Sequence, residues 1–454
     1  MSTDWDFANK LFFEELTPET LRNILIKERP KVVILWAGGQ IGQRLYGKAR
    51  SWLSNGEILG TSPESIDLAE DRVKFSKLLE GLGIDQPPWT FARSLEELIG
   101  IVERWLDYPV MIRPSYVLGG TYMGLARNRD ELVKYVSRAT RISPEHPVVV
   151  SKFIGNGIEA EVDGVSDGKS VVAVPVEHIE PPGVHSGDST MVISPRGLDY
   201  RLNDGWRVRM AEASFKIAIA LSIRGPFNIQ FIVGDKLYVI EANVRASRSM
   251  PFTSKAIGIN LMDLSVKAAM SGLGMDREYL VLRPRRWWVK ASQFSWSRIR
   301  GAYPRLGPVM YSTGEVASSG HTLQEALLKA WLSTTPSRIP RNNALVYTYD
   351  EYLKEQIDEI TNQLDGWIKV ITDTTTVKED IKAGRIDIVI TGGDTRDKDY
   401  EIRRLAADTA TPLILHPKLG LELSRAFRWL WTGNEPDIEE LQEAQHTPSP
   451  TSKN

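Results

Sequence analysis

The chain of 454 residues contains no cysteine. That excludes disulfides, zinc–thiolate sites and cysteine nucleophiles together, and it fits a reducing cytoplasm or a thermophile that avoids oxidisable side chains. A charge excess is also missing. Lys plus Arg number 56 and Asp plus Glu 58, a formal net charge of -2, so no nucleic acid or other polyanion is expected as the main partner. No apolar run approaches the roughly 18 residues of a membrane span, and no membrane partner is expected. The first ten residues, MSTDWDFANK, lack the basic start and apolar centre of a signal peptide, which leaves a cytoplasmic location as the expectation. Two nucleotide signatures are absent as well. There is no Gly-x-x-x-x-Gly-Lys-Ser/Thr loop, and Gly38-Gly39-Gln40-Ile41-Gly42 lacks the full dinucleotide pattern and the acid at the next strand end. His178 and His185 are seven apart in a turn-rich stretch, without the trio a zinc site needs. No internal repeat is present.

What remains is the composition of a globular protein, 42% hydrophobic and 25% charged, long enough for roughly three domains. Thr17-Pro18-Glu19-Thr20 reads as a helix start. The run 31–38 reads as a buried parallel strand ending in a glycine turn, followed by a helix over 41–53 and a strand over 57–60. Helices are predicted over 63–83, 205–222 and 260–272, and strands over 110–113 and 148–153. Two hairpins are predicted, one over 158–176 turning at Asp167-Gly168, the other joining 227–233 to 236–241 through Gly234-Asp235. From about residue 340, strands at 344–348, 367–371, 386–391 and 413–415 alternate with helices at 351–364, 376–384 and 399–409, the pattern of a parallel sheet. The tail 434–454, rich in Pro, Ser, Thr and charge, is predicted to be disordered.

Four constellations carry chemistry. Gln230 and Glu241 fall on the two arms of the second hairpin, and Asn243 follows Glu241 by two, on the same face of an extended chain. Three oxygen donors at one spot suit Mg²⁺ shared with phosphates. Arg245 and Arg248 come next, and guanidinium forks suit anionic oxygens. Alone, the stretch reads sooner as a polar strand end with surface ion pairs. Arg113 at a strand end, with a loop closing on Gly119-Gly120, is a phosphate cover or an ordinary turn. Glu177-His178-Ile179-Glu180 through Gly183-Val184-His185-Ser186-Gly187-Asp188-Ser189 packs polar groups into a Gly/Pro-rich loop, functional or solvated. Lys152 and the alternating Glu159, Glu161 and Asp163 place carboxylates where a ribose would sit, or on an exposed acidic face.

In this order and spacing, these segments resemble the carbamoyl-phosphate synthase large subunit. Further matching stretches are Ser2-Thr3-Asp4-Trp5-Asp6, Ala37-Gly38-Gly39-Gln40, the run from Leu59 to Arg72, Gly225–Phe231, and Ser254-Lys255-Ala256, so that the resemblance covers about residues 2–433. His178-Ile179-Glu180, the run from Asn243 to Phe252, and Arg305 to Val316 resemble the second of the family's two similar halves. Thr391-Gly392-Gly393-Asp394 with Asp399 to Ala406 resembles its methylglyoxal-synthase-like module.

The resemblance implies an α/β chain with a truncated, Rossmann-like pre-ATP-grasp domain over 1–68. An ATP-grasp domain with its extension would span 69–335, and a methylglyoxal-synthase-like α/β domain 340–433. It implies an ATP-dependent ligase that phosphorylates carbamate, giving carbamoyl phosphate for pyrimidine and arginine synthesis. ATP and Mg²⁺ or Mn²⁺ would be its cofactors. Gln230, Glu241 and Asn243 would hold the metal. Arg72, Arg113, Gly119 and Gly120 would face the phosphates. Lys152, Ile154, Glu159, Gly183, Val184, His185 and Ser186 would frame the nucleotide, and Arg248 with Arg245 would hold carbamate. The implied partners are a separately encoded N-terminal half of the large subunit and a glutaminase small subunit.

The chain departs from the family pattern at several points. The N-terminal half and the Gly-rich opening strand of the pre-ATP-grasp domain are not in it. Val244 stands where many members have proline. Glu180 and Asp188 match an ornithine site, but Ala291 stands where that site has an acid. The module's phosphate turn reads Thr372-Asp373-Thr374-Thr375-Thr376-Val377-Lys378, without its glycine, leaving Thr374 and Thr376 as donors. A free-standing ligase acting on another carboxylate and a non-catalytic regulatory subunit are the other readings.

Overall fold

The structure is a computed structural model that describes residues 6–53, 55–92, 94–115, 122–142, 148–438, 440, 441 and 445. Four sheets follow one another along the chain. The first is a parallel pair, Val32–Ile34 beside Glu57–Leu59. Thr17 caps the preceding helix, Pro18–Glu28, by accepting the Thr20 N–H. The expectation of a buried strand over 31–38 is wrong: Val32 and Ile34 are 41% and 37% exposed. Val33 packs with Leu25, Ala49 and Ile58 under the helices Pro18–Glu28 and Tyr46–Trp52. Side chains alternate along a strand, so Val32 and Ile34 point to the face those helices leave bare.

The helix expected over 63–83 is two helices, Pro63–Glu70 and Arg72–Gly81. Asp71 breaks it, because its carboxylate accepts the N–H groups of Val73 and Lys74 and starts a new helix there. The helix expected over 41–53 is likewise split, into Gly39–Arg44 and Tyr46–Trp52.

The second sheet is antiparallel, in the order Trp89–Phe91, Val149–Lys152, Val110–Arg113, Gly124–Ala126, and is packed under Leu98, Ile99, Leu132 and Val136. The third has eight strands. Its centre is the hairpin Ile158–Asp167 and Val171–His178, where Gly168 takes the left-handed conformation (φ 85°) that the turn requires. Arg224–Val233 pairs with Ile158–Asp167 on one side and with Leu237–Asn243 on the other. Helix Asp204–Ala220 contributes Met210, Ala211 and Ile217 to the core beneath.

The fourth sheet is parallel, in the order Lys369–Ile371, Asn343–Val346, Ile388–Ile390, Leu413–Ile414. Helix Pro417–Trp431, which sequence patterning did not single out, places Leu423 and Phe427 in a core shared with Leu327 and Trp287 of the preceding segment. The fourth sheet and the end of the third are therefore joined by continuous apolar packing. Part of the tail expected to be disordered is anchored. The Asp437 N–H donates to Glu325 Oε1, and Gln445 Nε2 donates to the Lys255 carbonyl; residues 446–454 lie outside the described residues. Among the described residues no helix is long and apolar enough to cross a membrane.

Candidate active site

A cavity of about 1250 Å³ opens between the second and third sheets, with Ala37, Gly39 and Gln40 of the N-terminal unit on its wall. It collects fourteen of the residues singled out in the sequence: Arg72, Arg113, Lys152, Ile154, Glu159, Gly183, Val184, His185, Ser186, Gln230, Glu241, Asn243, Arg245 and Arg248. Gly119 and Gly120 lie outside the described residues.

The register of Arg224–Val233 and Leu237–Asn243 sets Gln230 opposite Glu241. A bulge follows, with Phe231 opposite Val239, and it twists the strand end that carries the carboxylate. Asn243 Nδ2 donates to Glu241 Oε1 at 3.1 Å, so the two do share a face. Arg72, at the first turn of the helix Asp71 starts, places Nη2 2.7 Å from Glu241 Oε2. Arg113, at the end of Val110–Arg113, donates to the Ile240 carbonyl. Burial pushes the Glu241 carboxyl up, but Arg72 and Arg113 outweigh it and hold it down at about 2. Glu241 is therefore a carboxylate at any physiological pH.

The arginines are as crowded as the acid. Burial and neighbouring Arg72 lower Arg113 to about 9. Among the described residues, the Nε atoms of Arg113 and Arg245 are buried without a partner. Such orphaned donors beside a cavity are places where an anion would be held. Arg245 Nη2 donates to Asn243 Oδ1 at 3.0 Å, and Arg248 Nη1 lies against Met310 Sδ and Ser312 Oγ.

The loop 183–189 closes one side of the cavity. Gly183 takes φ 99°, and a Cβ there would come within 3.2 Å of the Phe153 ring. The His185 N–H donates to the Gly307 carbonyl, and its Nδ1 accepts the Gly187 N–H. Burial lowers the imidazole's proton affinity. Ser186 Oγ accepts from Gln230 Nε2 at 3.0 Å, which leaves the Gln230 carbonyl oxygen to accept a hydrogen bond or ligate a cation. Lys152 Nζ donates to the Asp107 and Tyr108 carbonyls, and Glu159 is raised well above the usual carboxylate range by burial and then by Glu161.

Gln230, Glu241 and Asn243 offer only oxygen donors, one of them ionised, as a hard divalent cation requires. Among the described residues no cluster of three or more His, Asp or Glu side chains is placed to hold a metal. Any cation here would thus be shared with a ligand's oxygens.

Sequence reasoning missed several cavity residues. Asn228 precedes Gln230 by two on one strand and shares its face, a signal that strand periodicity carries. Ser247 and Ser249 lie in the arginine loop, and Lys290, 1% exposed, arrives from the strand Trp287–Gln293 with no local signal. Glu180 and Asp188 lie on the wall of a second cavity. Their oxygens accept from Thr190 and from the backbone of Tyr311 and Ser312. Thr374 Oγ1 lies 2.7 Å from the Tyr349 hydroxyl, and Thr376 precedes the helix Val377–Lys382 without capping it through its side chain.

Residues 71–275 match the family described as carbamoyl-phosphate synthase L chain, ATP binding domain, and residues 1–68 match the carbamoyl phosphate synthase preATP-grasp domain. The biotin carboxylase of Campylobacter jejuni superposes over 69% of this chain and 76% of its own, at TM-score 0.55 and 15% identity. The biotin carboxylase domain of Hydrogenobacter thermophilus 2-oxoglutarate carboxylase, in a complex with MgADP, ADP and bicarbonate, superposes over 71% and 79% at TM-score 0.56 and 15% identity. At that identity the likeness concerns the fold alone. Fold and family together define the class: an α/β protein with a preATP-grasp and an ATP-grasp domain.

Within that class the relatives are specific. The chain is 52% identical over 96% of its length to the carbamoyl phosphate synthase large chain of Pyrobaculum aerophilum, and 47% identical over 98% to that of Pyrococcus furiosus. It spans only 43% and 42% of those two proteins. The chain is thus related nearly throughout to carbamoyl phosphate synthase large chains, and corresponds to less than half of one.

Proposed function

We propose that this chain is the carbamate-phosphorylating half of a carbamoyl phosphate synthase, moving the γ-phosphoryl group of ATP to carbamate. One observation carries the reading: a single cavity brings an ionised Glu241, with Gln230 and Asn243, against four arginines, Arg72, Arg113, Arg245 and Arg248. Phosphoryl transfer asks mostly for alignment and neutralisation of charge, and this wall supplies both without a nucleophile. Mg²⁺ or Mn²⁺ on Gln230, Glu241 and Asn243 would screen the phosphate oxygens. Arg72 and Arg113 would then face the nucleotide's phosphates, with Arg72 released from Glu241 as the cation takes its place. Lys152, Ile154, Glu159 and the 183–186 turn would frame adenine and ribose. Arg245 and Arg248, at the other end of the carboxylate, would hold the anionic acceptor. Glu159, whose carboxyl burial and then Glu161 raise well above the usual carboxylate range, lines the cavity beside that turn as the ribose partner.

Carbamate would be generated by the part of a large chain that this sequence does not match, together with a glutaminase subunit. The parallel fourth sheet suits the methylglyoxal-synthase-like reading of residues 340–433. The reaction is tested in reverse. Carbamoyl phosphate and MgADP are supplied to the purified chain, alone and with the missing portion of the Pyrobaculum large chain, and ATP is measured. ATP formation abolished by Glu241→Gln is the expected result. No ATP in either mixture defeats the proposal.

A further inference from the structure

Two acids of the strand Ile158–Asp167 are buried beyond what the site described so far uses. Asp163 is 0% exposed and Glu161 1%. Burying a carboxylate costs several kcal/mol unless its oxygens are satisfied. Here the partners come from the segment that carries the arginines, from the helix that follows it, from Asn228 and, for Glu161, from His178 Nε2 at 3.4 Å. Ser247 Oγ donates to Asp163 Oδ1 at 2.6 Å and Thr253 Oγ1 to Asp163 Oδ2 at 3.1 Å. Ser249 Oγ lies 2.5 Å from Glu161 Oε1. Asn228 Nδ2 donates to Asp163 from the neighbouring strand at 2.9 Å, and Asn243 Nδ2 reaches back toward Asn228 Oδ1. Ser247 also accepts the Met250 N–H at the beginning of the helix Met250–Ile257.

Between the strand Leu237–Asn243 and that helix, residues 244–249 have no regular structure of their own. Arg245 and Arg248 both sit in this stretch. Its position therefore depends on tethers from outside: the Ser247 and Ser249 hydroxyls, whose acceptors are Asp163 and Glu161, on one side, and Gln43 and the Trp36 carbonyl on the other. Ser247 and Asn228 line the cavity, whereas Asp163 stands behind them and does not.

We propose that Asp163 is a positioning residue: through Ser247, Thr253 and Asn228 it fixes the arginine-bearing segment 244–249, and so sets affinity for the anionic phosphoryl acceptor and not for the nucleotide. The proposal rests on the reading of Arg245 and Arg248 as the acceptor's site.

The test compares Asp163→Ala, Ser247→Ala, the double variant, and Asp163→Asn in the ATP-forming direction. Asparagine keeps an acceptor for Ser247 and Asn228 and offers a donor to Thr253. Asp163→Ala and Ser247→Ala should each raise KM for carbamoyl phosphate roughly ten-fold, the scale of a small misplacement of binding groups, with KM for MgADP within about two-fold of wild type. The double variant should be no worse than Asp163→Ala alone, since that change already removes the Ser247 tether along with those of Thr253 and Asn228. Asp163→Asn should return KM to within about two-fold of wild type. Equal effects on both KM values, additive losses, or a fall in thermal stability with unchanged KM would overturn the proposal. A wild-type chain that forms no ATP would defeat the functional reading instead. In that event the anchor is still tested by thermal-shift titration with carbamoyl phosphate and with MgADP separately. Loss of the carbamoyl phosphate shift alone in Asp163→Ala supports the anchor, and equal loss of both refutes it.

Discussion

Glu241 concentrates the logic of the site. Its folded-state proton affinity, held at about 2 against an ordinary 4.5, is depressed because two guanidiniums outweigh its burial. A carboxyl depressed on folding adds stability above its unfolded value, and that stability is lost as pH falls from about 4.5 toward 2. Denaturant midpoints measured across this window should fall steeply for wild type, and Glu241→Gln should flatten the fall. The same substitution removes the ionised donor facing the phosphates and should cost at least about a hundred-fold in ATP formation. A variant with an undiminished rate would take Glu241 out of the site. At this scale the sequence was informative where a residue's chemistry and its spacing coincide, as with Glu241 and Asn243. It was silent on Lys290, whose neighbours Glu161, Glu180 and Glu315 come from distant segments.

Among the elements, hairpins were the most legible. Glycine turns and alternating strands are local signals, and both hairpins fold within a few residues of where the pattern placed them. Helix breaks were not legible. The split at Asp71 depends on a side chain competing for backbone N–H groups inside an otherwise continuous pattern. Long-range tethers are equally hidden. Arg403 in the helix Arg396–Asp408 is 0% exposed; it pairs with Asp399 at 2.6 Å and donates to the carbonyls of Pro304, Gly392 and Gly393. It thereby holds the segment near residue 304 to the fourth sheet. Arg403→Met leaves Asp399 buried with only the Tyr303 and Thr395 hydroxyls as partners. It should cost about 3–5 kcal/mol, read as a lowered denaturation midpoint. A loss under about 1 kcal/mol would mean the tether is dispensable.

For the molecule as a whole, the N-terminal unit is the conspicuous feature. Parallel sheets are ordinarily covered on both faces, yet Val32 and Ile34 stand open, and Phe12, Phe13, Leu16 and Ile26 are exposed nearby in sequence. The relatives continue for more than half their length beyond what this chain matches. That remaining polypeptide is the occupant proposed for the bare face. Ile34→Arg should leave the isolated chain's stability within about 0.5 kcal/mol, as for an exposed position, and abolish co-elution with the missing portion of the Pyrobaculum large chain. Co-elution that survives the change would place the contact elsewhere, and self-association of the wild-type chain would point to a second copy. The N-terminal unit also touches the site. Gln43 donates to the Val244 carbonyl and Trp36 accepts the Ala246 N–H, so the arginine segment is held from this side as well.

The sequence by itself determined the local pieces: hairpins from period-two patterns and glycine turns, an alternating α/β segment after residue 340, and an oxygen-and-arginine cluster whose spacing follows from strand geometry. Those signals are local because backbone conformation and side-chain direction repeat over a few residues. Only the tertiary structure decided which face of 31–38 would be covered, which acids would be buried, and that Asp163 would stand behind the arginines. Burial is a property of what packs against a residue, and here the packing partners lie dozens to two hundred positions away in the chain.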